Sequence, residues 1–87
     1  MKILVIEDER ALLESILVYF TGEGNICEHA SDFAAANEKI SLYNYDCILL
    51  DLGLPGGEGL ELLTRLKQLK KEMGYLLFLH ATLWMIN

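Results

Sequence analysis

Basic residues are scarce in this chain: seven Lys and Arg stand against 13 Asp and Glu, for a formal net charge of -6. A surface that grips the phosphate backbone needs clustered positive charge, so this segment is not expected to bind nucleic acid by itself. Cysteine is limited to Cys27 and Cys47. Both sit in apolar, strand-like settings and read as reduced core residues, not as a disulfide or a metal site, which suits the cytoplasm. Long apolar runs are missing too. The C-terminal one falls far below the roughly 20 residues that span a bilayer, and the N-terminal one is too short for a signal-peptide core and runs straight into acids. A soluble, cytoplasmic protein is expected. Internal repeats, low-complexity tracts and interdomain linkers are also lacking. With 87 residues and 53% hydrophobic content, the chain can bury one small core and lies below the ordinary size of a doubly wound α/β domain.

Two apolar runs end in acid. Cys47-Ile48-Leu49-Leu50 leads into Asp51 and then into Leu52-Gly53-Leu54-Pro55-Gly56-Gly57, the pattern of a buried strand that delivers a carboxylate to a loop. Lys2-Ile3-Leu4-Val5-Ile6 breaks in the same way into Glu7-Asp8-Glu9. If both strands lie in one parallel sheet, their carboxyl ends open on the same edge, and Glu7, Asp8 and Asp51 converge on one pocket. Clustered carboxylates repel one another unless a cation sits between them. With no His or Cys nearby, a hard, oxygen-loving ion suits the site, and Mg²⁺ fits better than Zn²⁺. The plainer readings are that Asp51 caps the next turn and that Asp8 and Glu9 complement a helix N-terminus.

Between these strands the pattern is helical. Leu12, Leu13, Ile16, Leu17 and Phe20 form one apolar stripe over about 9–21, stopped by Gly22-Glu23-Gly24-Asn25. Ile26–Ala30 reads as a more polar edge strand, and His29 on it as a surface residue. A second helix follows from Phe33 to about Ile40, capped by Ser31 or Asp32. Tyr43-Asn44-Tyr45-Asp46 reads as the loop into the central strand, with Asp46 structural and on the side away from the site. A third helix, about 59–69, turns Leu62, Leu63, Leu66 and Leu69 inward and Arg65, Lys67, Lys70 and Lys71 to water. Strand and helix alternation predicts a parallel sheet with helices on both faces.

Together, Glu7-Asp8, Asp51 and the Leu52–Gly57 loop leading through Glu58-Gly59-Leu60-Glu61-Leu62-Leu63 make Ile3 to Gly74 resemble the receiver domain of bacterial two-component response regulators, most like those that precede winged-helix DNA-binding output domains. The resemblance implies a flavodoxin-like (CheY-like) sheet of order 2-1-3-4-5, with the site between the first and third strands. Four strands can be placed, in the order 2-1-3-4, and the fifth is missing. It also implies that Asp51 accepts a phosphoryl group from the phosphohistidine of a sensor histidine kinase. Mg²⁺ would be held by Asp8, Asp51 and the backbone carbonyl of Gly53, with Glu7 helping through water. On this reading the chain is a phosphoacceptor in signal transduction and transcription regulation, not an enzyme, and a DNA-binding output domain belongs to the intact protein.

Family members carry a Ser or Thr at the end of the fourth strand and a Lys before a Pro at the end of the fifth. Neither is present: Leu79 stands near the first position, Thr82 is displaced, and no Lys follows Lys71. Impaired phosphotransfer is therefore expected of a receiver truncated at residue 74. All the charged residues precede Gly74, and the apolar tail 75–87 reads as a fourth strand, with an exposed edge for self-association, or as out-of-frame sequence. In the frame starting at the third base of the Trp84 codon, Trp84-Met85-Ile86 is forced to encode Asp-Asp. The codons permitted before and after allow a receiver's fourth strand, Ser and following loop. The competing functions are a Mg²⁺-binding interaction module without turnover, a non-functional fragment, and a haloacid-dehalogenase-like phosphotransferase. That last family places a second Asp two residues after its nucleophile, where this chain has Gly53.

Overall fold

The computed structural model describes residues 1–69 and 74–78. Lys70, Lys71, Leu79, Thr82 and Trp84, all considered above, lie outside the described residues. The elements follow in the order β1 (Lys2–Ile6), α1 (Arg10–Gly22), β2 (Ile26–Ala30), α2 (Phe33–Leu42), β3 (Cys47–Asp51), a 3-10 turn (Pro55–Gly57), α3 (Glu58–Leu69) and β4 (Gly74–Phe78). The strands form one parallel sheet of order β2-β1-β3-β4, as the alternation of elements and the resemblance predict.

The central strands are apolar on both faces because both faces are covered. Ile3, Val5 and Leu49 turn to α1, where Leu13, Ile16, Leu17 and Phe20 meet them. Leu4, Ile6, Ile48 and Leu50 turn the other way, onto Ala36 and Ile40 of α2 and Leu62 and Leu66 of α3. That alternation is the two-residue period of a strand serving two helical layers at once. β2 lies at the sheet edge; Ile26 and His29 on it are exposed and Glu28 is half-buried, as its polar sequence predicts.

The ends of the helices differ slightly from expectation. Glu9 is the cap of α1 and not its first residue, since its carboxylate accepts the N–H groups of Ala11 and Leu12 at 3.2 and 3.0 Å. That satisfies two donors a helix start leaves open. Asp32, not Ser31, caps α2, accepting the Ala35 N–H at 2.8 Å, and α2 runs on to Leu42. Asp46 is structural: its carboxylate accepts the Lys2 N–H at 2.7 Å while its own N–H donates to the Lys2 carbonyl at 2.8 Å. Cys27 and Cys47 are free. They flank Ile3 on opposite sides in the strand register, about 10 Å apart by strand spacing, too far for a disulfide.

Candidate metal centre

The register places the acids. Ile6 is level with Leu50 in the β1–β3 pair, so the residues that follow, Glu7 and Asp51, emerge side by side at the carboxyl end of the sheet. The Glu7 N–H donates to the Ala30 carbonyl at 3.1 Å, which carries the ladder with β2 one step past β1 and holds Glu7 in line. Carboxylate oxygens of Glu7, Asp8 and Asp51 lie within 4.8 Å of one another. Glu7 and Asp51 are fully buried, while Asp8 is exposed at the rim.

This geometry is costly for negative charge. Burial pushes the Glu7 carboxyl up to about 7, against the pull of the Glu9 N–H bonded to its Oε2 at 2.9 Å, and Asp51 raises it further through a hydrogen bond and its charge. Desolvation dominates, as expected for a carboxylate at the floor of a pocket. Asp51 is aimed by its own loop. Its Oδ1 accepts the Gly53 N–H at 2.7 Å, and its carbonyl accepts the Leu54 N–H at 3.4 Å. Gly56 and Gly57 both adopt positive φ, 69° and 75°, a conformation open to glycine, and so let the chain reverse within the 3-10 turn and start α3.

The donor set fits a hard divalent cation. All three side chains offer carboxylate oxygen, and the exposed position of Asp8 leaves solvent on one side, which suits an ion that keeps several waters. A cation there would offset the mutual repulsion of the three acids. Asp8 also lines a cleft of about 360 Å³ with Arg10, Leu13, Glu14, Leu17, His29 and Ser31, so the rim is reachable from solvent. The sequence-predicted acids Glu7, Asp8 and Asp51 are thus brought together; Gly53 is tied to Asp51 through its N–H. His29 is exposed on the cleft wall.

The sequence matches the family described as the response regulator receiver domain over residues 3–81, a span that passes Gly74 and takes in the start of the apolar tail. The chain is 36% identical over 70 residues to the transcriptional regulatory protein BasR of Escherichia coli K12, aligning 80% of this chain with 32% of that one. It is 40% identical over 65 residues to the transcriptional regulatory protein PmrA of Pectobacterium parmentieri, covering 75% of this chain and 29% of that one. It spans about a third of the length of such curated relatives. Among solved structures, the response regulator TrrA of Thermotoga maritima in complex with Mg(2+)-BeF superposes with a TM-score of 0.84 at 28% identity, covering 99% of this chain and 75% of that one. The complex of histidine kinase ThkA with TrrA gives a TM-score of 0.81 at 30% identity, over 91% of this chain and 68% of that one. The sheet order, the acids gathered at its carboxyl edge and these matches lead to one assignment: the chain belongs to the response regulator receiver domain family.

Proposed function

We propose that this receiver domain takes a phosphoryl group from the phosphohistidine of a sensor histidine kinase onto Asp51, in the cytoplasm. The observation that carries the reading is the placement of Asp51: a fully buried carboxylate at the end of β3, aimed by the Gly53 N–H and within 4.8 Å of Glu7 and Asp8. An Asp51 carboxylate oxygen attacks phosphorus and forms the new O–P bond of an acyl phosphate. The N–P bond of the phosphoimidazole breaks, and the imidazole keeps the electron pair and takes up a proton. Asp8, Asp51 and the Gly53 carbonyl would hold Mg²⁺, with Glu7 reaching it through water. When bound, that ion supplies positive charge for the phosphoryl oxygens. The TrrA complexes with Mg(2+)-BeF and with histidine kinase ThkA support the reading.

The intact protein is proposed to carry a DNA-binding output domain, since the relatives matched over a third of their length are transcriptional regulatory proteins. β4 at Gly74–Phe78 and the family match to residue 81 support a fourth-strand reading for the start of the tail. The alternative, that 75–87 as a whole is out-of-frame sequence, is tested by resequencing the locus. β4 is the outer strand of the described sheet, and self-association through its edge would appear as concentration-dependent dimers in sedimentation.

The central test is acyl-phosphate labelling by acetyl phosphate or a phosphorylated kinase with Mg²⁺. The wild-type chain should acquire a hydroxylamine-sensitive label and Asp51→Asn none. Undiminished labelling of Asp51→Asn sinks the assignment, and a wild-type chain that binds Mg²⁺ but takes no label favours the interaction-module reading.

A further inference from the structure

One residue beneath the acidic site is defined by the side chain it does not have. Gly59, in the first turn of α3, is buried. A Cβ at this position would lie 2.5 Å from the Asp51 carbonyl oxygen, 2.7 Å from Leu52 Cα and 3.1 Å from the Leu52 carbonyl carbon. All three neighbours are backbone atoms, so no side-chain rotation could make room. The backbone conformation does not ask for glycine: Gly59 lies within an α-helix and is not among the positive-φ glycines. In such a place glycine is less favourable than alanine, because it loses more backbone freedom on folding. Gly22, Gly24, Gly56 and Gly57 contrast with it, since a Cβ on any of them would meet nothing within 4 Å.

The backbone that Gly59 approaches is that of the acceptor itself. The Asp51 carbonyl, the atom nearest the missing Cβ, accepts the Leu54 N–H at 3.4 Å, and the Asp51 Oδ1 accepts the Gly53 N–H at 2.7 Å. Pressure on the Asp51 carbonyl or on Leu52 therefore falls between the two hydrogen bonds that fix the carboxylate and the Gly53 peptide. α3 has little freedom to retreat, because Leu62 and Leu66, one and two turns further on, are fully buried in the core. We propose that Gly59 is a positioning residue for the acceptor. By lacking a Cβ it lets α3 lie directly on the Asp51–Leu52 backbone, and that contact sets where the Asp51 carboxylate and the Gly53 carbonyl point. The inference rests on the acceptor reading of Asp51 and adds to it a residue that touches neither metal nor phosphoryl group.

The test compares Gly59→Ala with Leu63→Ala, a truncation of a half-buried α3 side chain packed on the core one turn beyond Gly59. Both are measured beside the wild-type chain in trimethylamine N-oxide, which favours the compact state. Gly59→Ala should weaken Mg²⁺ binding, read by calorimetry, about tenfold, as loss of a supporting group around a metal site does. Its labelling by acetyl phosphate at saturating Mg²⁺ should fall about 100-fold, the scale of a misplacement near 1 Å. The amide resonances of Asp51 and Gly53 should also move in the metal-free protein. Leu63→Ala should keep wild-type affinity and labelling per folded molecule. A Gly59→Ala chain that binds and labels like wild type overturns the proposal. So does a Leu63→Ala chain that loses both to the same degree, or a Gly59→Ala chain that does not fold even in the osmolyte, since the glycine would then serve the fold alone. A wild-type chain that neither binds Mg²⁺ nor takes label removes the acceptor reading, and this one with it.

Discussion

The two ends of the sheet treat charge in opposite ways. Towards the amino end, Glu28 of β2 meets the Tyr45 hydroxyl at 2.5 Å, Lys2 at 3.7 Å and Lys39 at 3.6 Å. The Lys2 ammonium also lies over the rings of Tyr43 and Tyr45, at 5.4 and 5.2 Å. The hydrogen bond from Tyr45, and then the two lysines, hold the Glu28 carboxyl below its usual range. At the carboxyl end, Glu7, Asp8 and Asp51 are gathered within 4.8 Å, and burial drives Glu7 the other way. One end joins complementary groups and gains stability from them. The other concentrates like charge where a cation and a phosphoryl group could use it, so the fold tolerates there what it avoids elsewhere.

The largest effect expected from this contrast is on pH dependence. In EDTA, folded Glu7 titrates near 7 against 4.5 in the unfolded chain. The folded state therefore keeps a proton that the unfolded chain releases between those values. Its contribution is whole below pH 4.5 and is lost as pH rises through 7, a change of about 3 kcal/mol. Glu28 runs in reverse: with a lowered pKa, its contribution is present above its unfolded value and lost as pH falls through the folded one. Metal-free melts should thus decline from about pH 4.5 to about 7, and Glu7→Gln should flatten that limb alone. A Glu7→Gln profile parallel to wild type would break the contrast.

Metal sharpens it next. Mg²⁺ at a hundredfold excess over its Kd should stabilise the wild-type chain by about 2.7 kcal/mol. Asp8→Ala should abolish that gain in a thermal melt, while Glu28→Gln should retain it. Tyr45→Phe removes the hydroxyl bonded to Glu28 and should cost about 1 kcal/mol, lowering the melting temperature by roughly 4–8 °C, with labelling of Asp51 unchanged. A labelling defect in Tyr45→Phe would mean the two ends are coupled. The smallest effect belongs to Arg10→Ala. Its ion pair with Glu14 joins side chains 91% and 63% exposed, and such pairs contribute little, so the melt should stay within error of wild type.

What could be read from the chain tracks how local the cause is. β1, β3 and their terminal acids were legible because a buried parallel strand is an unbroken apolar run and its end is marked by charge. α1 was legible from its stripe. Tyr45 was not: it reads as a loop residue beside Tyr43 and Asn44, yet it is 3% exposed, held by a glutamate 17 positions earlier. Only the β2-β1-β3 order brings those two residues together. Gly59 was hidden for the same reason, since a glycine at the start of the third helix reads as an ordinary first-turn residue. Its closeness to the Asp51 carbonyl exists only once α3 has docked. Ser31 and Asp32 were equivalent candidates for a cap, and the choice fell to the Asp32 carboxylate bonded to Ala35.

The strand order also carries a consequence for synthesis. β1 is translated first yet ends between two later strands, with Lys2 opposite Ile26 and Ile3 opposite Cys47. A nascent chain leaving the ribosome therefore presents Ile3-Leu4-Val5-Ile6 unpaired on one side until β3 has emerged. Distant pairings of this kind form late, and apolar segments waiting for them are open to wrong partners. Rare codons or a pause between β2 and β3 would lengthen that wait. Slowed translation there should lower the soluble yield of the protein more than the same delay placed after β3.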